Sequence, residues 1–370
     1  MKKKYIRIIS IFMISMMMSI NFTKVAYAKD LRVDAVSAIA IDSISGRVLF
    51  EQNGYSIVPM ASTTKIVTAL VALNCGNLDD EFTISKNSAS VRGSTVGYKA
   101  GEKIKLHELL YGLMFKSGND AAIAIAEGIG GSVEGFCKLM NEYALTIGIL
   151  DSHFESPHGL DSQNHYSTAY DLALATKKAK ENPKFHEIVS SKTISKDKYG
   201  FTRDYQNINK LLYQMPNANG VKTGYTGGAG KCLVSSVNMG EGDIIIVTLN
   251  CTPRWEETRK IYEYVEKNYD YKKVISQGET LKNLQVENGK EELKLVCQKD
   301  IVLPVKENEK LNIEVDAPTN LKAPVEKNKK IGSVKISDEK GKILYEELLS
   351  ENEVNKNPLF KVIKDKIFKK

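Results

Sequence analysis

The sequence is poor in the residues that disulfide and metal frameworks need. Cysteine occurs five times in 370 residues, at 75, 137, 232, 251 and 297, and no two form a CxxC pair. An odd, scattered set argues against a complete disulfide framework. Most of these cysteines sit in apolar runs such as VALNC and IIIVTLNC and read as small buried hydrophobes. Histidine also occurs five times. HEIVS, at 186–190, opens like a H-E-x-x-H zinc motif but has Ser190 where the second histidine belongs. His158 and His165, in HGLDSQNHYS, lack companion ligands at zinc spacing and read as structural hydrogen bonders. No metal or organic cofactor is expected. TGYTGGAGKC imitates a phosphate loop, yet Tyr225 stands where the first glycine is required and Cys232 replaces the final Ser/Thr. It reads as a strand edge and turn. The chain contains no internal repeat and no low-complexity segment.

A strong charge excess is missing too, once the leader is set aside. Lys2, Lys3, Lys4 and Arg7 precede the uncharged run IISIFMISMMMSI, and AYA follows with Ala26 and Ala28 in small-residue cleavage positions. Residues 1–28 read as a secretory signal peptide. They carry five positive residues and no acid, so the formal +7 falls to +2 in the remainder. Nucleic-acid binding gets no support from such a balance.

What is present is a change of texture along the chain. AVSAIAIDS and GRVLFEQN form a hairpin signal around ISG. STTKIVTALVALNC, LHELLYGLMF, NDAAIAIAEGIG, SVEGFCKLMNEYALTIG and TAYDLALATKKAKE carry apolar residues at three- and four-residue steps. The stripe Leu109, Leu110, Leu113, Met114 is core by default. Beyond Gly220 the pattern turns to strands, KCLVSSVN and DIIIVTLNC, before a last helix, EETRKIYEYVEKNY. This order predicts a sheet whose strands come from both ends of the segment, with helices packed on it. Short alternating runs (LKLVC, IVLPV, LNIEV, IGSVKI) then indicate a small all-β module. The domains expected are 1–28 leader, 29–272 catalytic, 273–352 all-β and 353–370 tail.

PMASTTKIVTALVAL, at 59–73, places Ser62 near the start of a helix and Lys65 three residues on, on the same face. Lysine is rarely buried on a helix face without cause. Desolvation and neighbouring positive charge can lower its pKa until the neutral amine takes the serine proton. That pair would then be a Ser–Lys nucleophile. A capping serine with a snorkelling lysine is the bland alternative. Two later triplets weigh against it. FKSGNDAA holds Ser117-Gly118-Asn119, and GVKTGYTGGAGKCLV holds Lys222-Thr223-Gly224 at the start of a strand-like segment. S-x-x-K, S-x-N and K-T-G in that order form one catalytic set of β-lactamases and penicillin-binding proteins. The middle residue of the second element is Gly rather than Asp.

With SPHGLDSQNHYSTAYDLA, VKTGYTGGAGKCLVSS and APVEKNKKIGSV, the chain resembles the low-molecular-mass penicillin-binding proteins, serine-type D-alanyl-D-alanine carboxypeptidases, over most of residues 30–350. The resemblance implies an α/β (α+β) penicillin-binding/β-lactamase-like transpeptidase domain, with an antiparallel sheet and helices on both faces, plus the small all-β domain. It implies Ser62 as nucleophile, Lys65 as proton acceptor and Ser117 as relay to the leaving D-alanine. Asn119 would hold the substrate amide and Lys65. Lys222 and Thr223 would meet the substrate carboxylate, and Gly224 would let the acyl chain lie along the strand. The N–H groups of Ser62 and Thr226 would form the oxyanion hole. Arg254 would assist with the carboxylate, with Arg259 the runner-up. The implied substrate is the peptidoglycan stem pentapeptide, with β-lactams as acylating inhibitors.

A serine β-lactamase shares the three motifs, but no segment clearly offers the extra glutamate of class A enzymes, and those enzymes lack a long β module. Endopeptidase action on cross-links is a related alternative. A catalytically silent wall-binding protein is disfavoured by the intact polar set. The tail, PLFKVIKDKIFKK, aligns Leu359, Phe360, Ile363, Ile367 and Phe368 on one helical face with lysines around the rest. Such a helix can lie on an anionic membrane. The expected location is therefore outside the cell, at the outer face of the cytoplasmic membrane or in the cell wall.

Overall fold

The computed structural model describes residues 31–339 and 341–358. The leader expected at 1–28 and the apolar and basic tail from 359 onward lie outside them. The hairpin forms as its pattern predicts: β1 (Ser37–Asp42) runs antiparallel to β2 (Val48–Gln52). Three further strands come from far along the chain, β3 (Ala218–Thr226), β4 (Gly230–Asn238) and β5 (Asp243–Leu249). The sheet order is β2-β1-β5-β4-β3, antiparallel throughout. Pairing of β5 with β1 therefore unites the two ends of the segment, and β3 is left as an edge.

Between the two groups of strands lie α1 (Lys65–Cys75), α2 (Leu106–Phe115), α3 (Asn119–Gly130), α4 (Val133–Thr146), α5 (Ala169–Lys180) and α6 (Pro183–Ser190). α7 (Arg254–Asn268) follows the last strand. Side chains alternate across a strand, and both faces of this sheet are covered. Ile39, Ile41, Val234, Ile245 and Val247 join the main core with the helices. Ala38, Ala40, Leu233, Ile244 and Ile246 are equally buried but belong to the other face, where α7 packs on β4 and β5. α1 is buried from Lys65 through Ala72 and touches α2, α3, α4 and α5. A helix apolar all round belongs in the centre of its domain, and that position carries Lys65 away from water.

The triplet Lys222-Thr223-Gly224, expected at the start of a strand-like segment, lies inside β3, and the chain reverses through Gly227, Gly228 and Ala229 before β4, in keeping with the reading of TGYTGGAGKC as a strand edge and turn.

The C-terminal module has its own core, including Leu293, Leu295, Leu303, Val334, Ile336 and Leu348. Its five-stranded sheet runs Thr280–Leu284, Leu293–Val296, Gly341–Ser350, Lys330–Asp338 and Asn312–Asp316 in spatial order. Both expected module boundaries shift. The strand Asp270–Ile275 crosses residue 272 to pair with Ile301–Val305. Val354, expected in the tail, is fully buried and bridges Val325. Burying its apolar side chain outweighs the polar neighbours that made 353 look like a boundary.

Candidate active site

Three segments bring their polar side chains together. Ser62 lies in a single 3₁₀ turn, Ala61–Thr64, directly before α1. The chain enters that turn through Ala61 at φ +51°, a left-handed conformation that alanine rarely adopts. The first helical turn expected there is therefore a tighter, strained one.

Lys65 is completely buried. Its Nζ lies 3.0 Å from Ser62 Oγ, 2.8 Å from Asn119 Oδ1 and 2.8 Å from the His158 carbonyl oxygen. Burial, and next the charge of Lys222, hold its pKa well below the usual lysine range. A neutral amine has two N–H groups and one lone pair. Asn119 Oδ1 and His158 O accept but cannot donate, so they take the two N–H groups. In that neutral form the lone pair would face the Ser62 hydroxyl, 3.0 Å away, which also approaches the His158 carbonyl oxygen at 3.5 Å.

Ser117 and Asn119 sit at the junction of α2 and α3. Ser117 occupies φ +58°, and Gly118 N–H donates 3.1 Å to Gly112 O, closing the turn. Asn119 Nδ2 donates 2.6 Å to Arg92 O, which leaves Oδ1 aimed at Lys65. Asp120 fastens the loop over this turn by accepting from the N–H groups of Val96, Gly97 and Tyr98. Its carboxylate lies in the first turn of α3, where the helix dipole favours negative charge.

Lys222 reaches in from β3. Its Nζ donates 2.9 Å to Ser117 Oγ and 2.7 Å to Thr223 O. Burial, then the charge of Arg254, lowers its pKa to about 7. Thr223 is buried beside it. Gly224 lies where β3 meets the nucleophile turn: a Cβ there would sit 3.1 Å from Ser62 N and 3.2 Å from Met60 O. A side chain there would press on the nucleophile turn, and glycine spares it that contact.

Arg254 approaches the same strand from another side. Its Nη1 donates 2.7 Å to Gly224 O and 2.9 Å to Cys232 O. One nitrogen reaches both carbonyls only if they face each other, so Gly224 and Cys232 form a hydrogen-bonded pair of the ladder. Alternation then turns the N–H groups of Thr223 and Tyr225 toward the open edge of β3. Thr226, expected to supply an oxyanion donor, pairs inward with Gly230, and its hydroxyl donates 2.6 Å to Asp161 Oδ1. The edge-facing donor is Tyr225 N–H, one residue earlier. In this structure one nitrogen of Arg254 braces the backbone of β3.

The sequence therefore supplies five polar side chains that converge, Ser62, Lys65, Ser117, Asn119 and Lys222, with Thr223 next to Lys222 on β3. It gave no sign of three main-chain partners: the His158 carbonyl, the Arg92 carbonyl and the Tyr225 N–H. Any residue type can provide such a group. Asp161, in HGLDSQNHYS, also accepts 2.9 Å from Gly228 N–H. Its spacing from the glycine turn carries no local signal.

Comparison with known proteins agrees with the geometry. Residues 23–252 match a family model described as D-alanyl-D-alanine carboxypeptidase. Residues 269–356 match one described as the C-terminal domain of penicillin-binding protein 5. The D-alanyl-D-alanine carboxypeptidase DacF of Bacillus subtilis is 32% identical over 363 residues, covering 92% of each chain. DacD of Escherichia coli is 28% identical, covering 99% of this chain and 98% of its own. The crystal structure of penicillin binding protein 5 from Haemophilus influenzae superposes with a TM-score of 0.75 at 27% identity, covering 89% of this chain and 99% of that one.

Proposed function

The chain belongs to the D-alanyl-D-alanine carboxypeptidase family, and from that premise we propose how its residues divide the work of this serine peptidase. Ser62 Oγ attacks the carbonyl carbon of the penultimate D-alanine while Lys65 Nζ takes the hydroxyl proton. The N–H groups of Ser62 and Tyr225 bind the oxyanion that forms. Ser117, hydrogen-bonded to Lys222, passes a proton to the departing amine, and the peptide C–N bond breaks to release D-alanine. Lys65 hands the proton it took from Ser62 on to Ser117, and, neutral again, takes a proton from the water that attacks the acyl-serine ester and returns it to Ser62 as the ester C–Oγ bond breaks. Asn119 holds Lys65 and the substrate amide. Lys222 and Thr223 receive the terminal carboxylate as cation and hydroxyl donor. The stem peptide runs along β3 as an added strand, and Gly224 allows its close approach.

The observation that carries this reading is the pair of fixed acceptors on Lys65, which leaves the lone pair to Ser62. The test is D-alanine release from a stem pentapeptide together with labelling by a fluorescent penicillin. Ser62→Ala is expected to lose both. Continued labelling of Ser62→Ala would refute the assignment. Penicillin residence separates the β-lactamase reading: hours are expected here, and release within a second would favour the lactamase.

Residues 1–28 act as a cleaved leader that takes the enzyme out of the cell, and the basic tail rests on an anionic membrane surface. Support for both is the sequence pattern. Among the described residues no helix is long and apolar enough to cross a membrane. Removing 359–370 is expected to shift the protein from the membrane pellet to the supernatant with its soluble activity intact. Unchanged sedimentation would rule out the tail as anchor.

A further inference from the structure

We infer that Thr64 and His165 are positioning residues that orient and polarise the Ser62 N–H through the carbonyl of the same peptide unit. The inference rests on the reading above in which that N–H binds the oxyanion.

Thr64 Oγ1 donates 2.8 Å to the Ala61 carbonyl oxygen. That carbonyl and the Ser62 N–H belong to one planar peptide, in which they point in opposite directions. Fixing the carbonyl therefore fixes where the N–H aims. A hydrogen bond accepted by the carbonyl also draws electrons through the amide and strengthens the N–H as a donor.

The hydroxyl of Thr64 is itself held. His165 Nε2 lies 2.9 Å away. His165 Nδ1 accepts 3.0 Å from Glu155 N–H, so the ring hydrogen of the neutral imidazole is on Nε2 and is donated to Thr64 Oγ1. Both side chains are buried, His165 at 3% exposure and Thr64 at none. The result is a one-directional chain from Glu155 N–H through His165 and Thr64 to the Ala61 carbonyl. Gly159 closes over its last link: a Cβ there would fall 2.0 Å from Ala61 O and 2.6 Å from Thr64 Oγ1. The chain ends on the one residue of the nucleophile turn with positive φ, Ala61 at +51°.

The test measures penicillin acylation rates of the full chain for Thr64→Val, His165→Leu, the double variant and His165→Gln, with thermal melts to establish folding. Thr64→Val keeps the shape of the side chain, so it carries the test if His165→Leu does not fold. A weakened rather than deleted oxyanion donor predicts about 10-fold slower acylation in each single variant, with the non-covalent encounter affinity unchanged. Because His165 acts through Thr64, the double variant should be no slower than either single one. Gln at 165 carries an N–H at the place of Nε2 and should recover most of the rate. Unchanged rates, losses that multiply in the double variant, or a loss confined to affinity would overturn the inference while leaving Ser62 as nucleophile. A wild-type protein that is never acylated at Ser62 would instead overturn the catalytic reading and this inference with it.

Discussion

Lys65 has lost its water and lies near the charge of Lys222, and both effects favour its neutral form. Acylation should therefore persist far below the pH at which a free lysine deprotonates. It should fail only as pH drops through the lowered value and Lys65 gains a proton. Lys222 loses its charge above about 7, so attraction for the carboxylate should weaken on the alkaline side of the second-order acylation profile. Arg254 is the second cause of that lowering. Arg254→Leu should move the alkaline limb upward, and a pH profile of both proteins checks it. Lys65→Ala should slow acylation by on the order of 10³ or more, as for groups that act as a unit. At this scale the sequence was most legible where a side chain performs the chemistry, as at Ser62, Lys65 and Lys222. It was silent about the His158 carbonyl that takes one N–H of Lys65, and it misplaced the edge-facing N–H by one residue. Strand register decides that direction, and register is a property of the pairing with β4.

The elements supply the rigidity that these contacts need. Gly159 adopts φ +85°, and a Cβ there would sit 2.0 Å from the Ala61 carbonyl oxygen. Gly159→Ala is expected to cost more than about 2 kcal/mol from backbone strain and clash together, read as a lower urea midpoint with unchanged m-value. Asp161 ties the loop bearing His158 to the β3–β4 turn through Thr226 and Gly228. Asp161→Ala should slow acylation several-fold with little change in melting temperature, since the carboxylate is exposed; an unchanged rate would remove the clasp from the account. Helix periodicity gave α2 and α3 to the residue, LHELLYGLMF and NDAAIAIAEGIG, because their apolar stripes face one core. The 3₁₀ turn at Ser62 was hidden, since STTK reads equally well as a helix start. The strand Gly341–Ser350 was also missed. KILYEELLS mixes charge with apolar residues because exposed Tyr345 and Glu347 share the strand with buried Ile343, Leu348 and Ser350.

Across the whole described unit, Val33 to the C-terminal module, one arginine joins the hairpin to the module. Arg47, immediately before β2, is 6% exposed. It donates 2.5 Å to Pro304 O and 2.8 Å to Asp338 Oδ2, and also pairs with Glu309. Tyr271 adds a hydrogen bond of 2.6 Å to Asp42. Arg47→Met would leave two poorly solvated carboxylates without their cation, at a cost of about 3–5 kcal/mol. Chemical denaturation should show that loss while the acylation rate of the folded protein stays within about two-fold of wild type, a small effect on the kinetic scale. Two modules were foreseeable from the shift in texture near 275. Their tie was not, because Arg47 and Asp338 are 291 residues apart in sequence and neither belongs to a local pattern.

The most direct test of the central claim, that neutral Lys65 delivers the Ser62 hydroxyl to a carbonyl, is mass spectrometry of the penicillin-treated protein after proteolysis. One penicilloyl group is expected, on the peptide carrying Ser62, persisting for hours and absent from Lys65→Ala on the same time scale. An adduct on another residue, or undiminished acylation of Lys65→Ala, would contradict it.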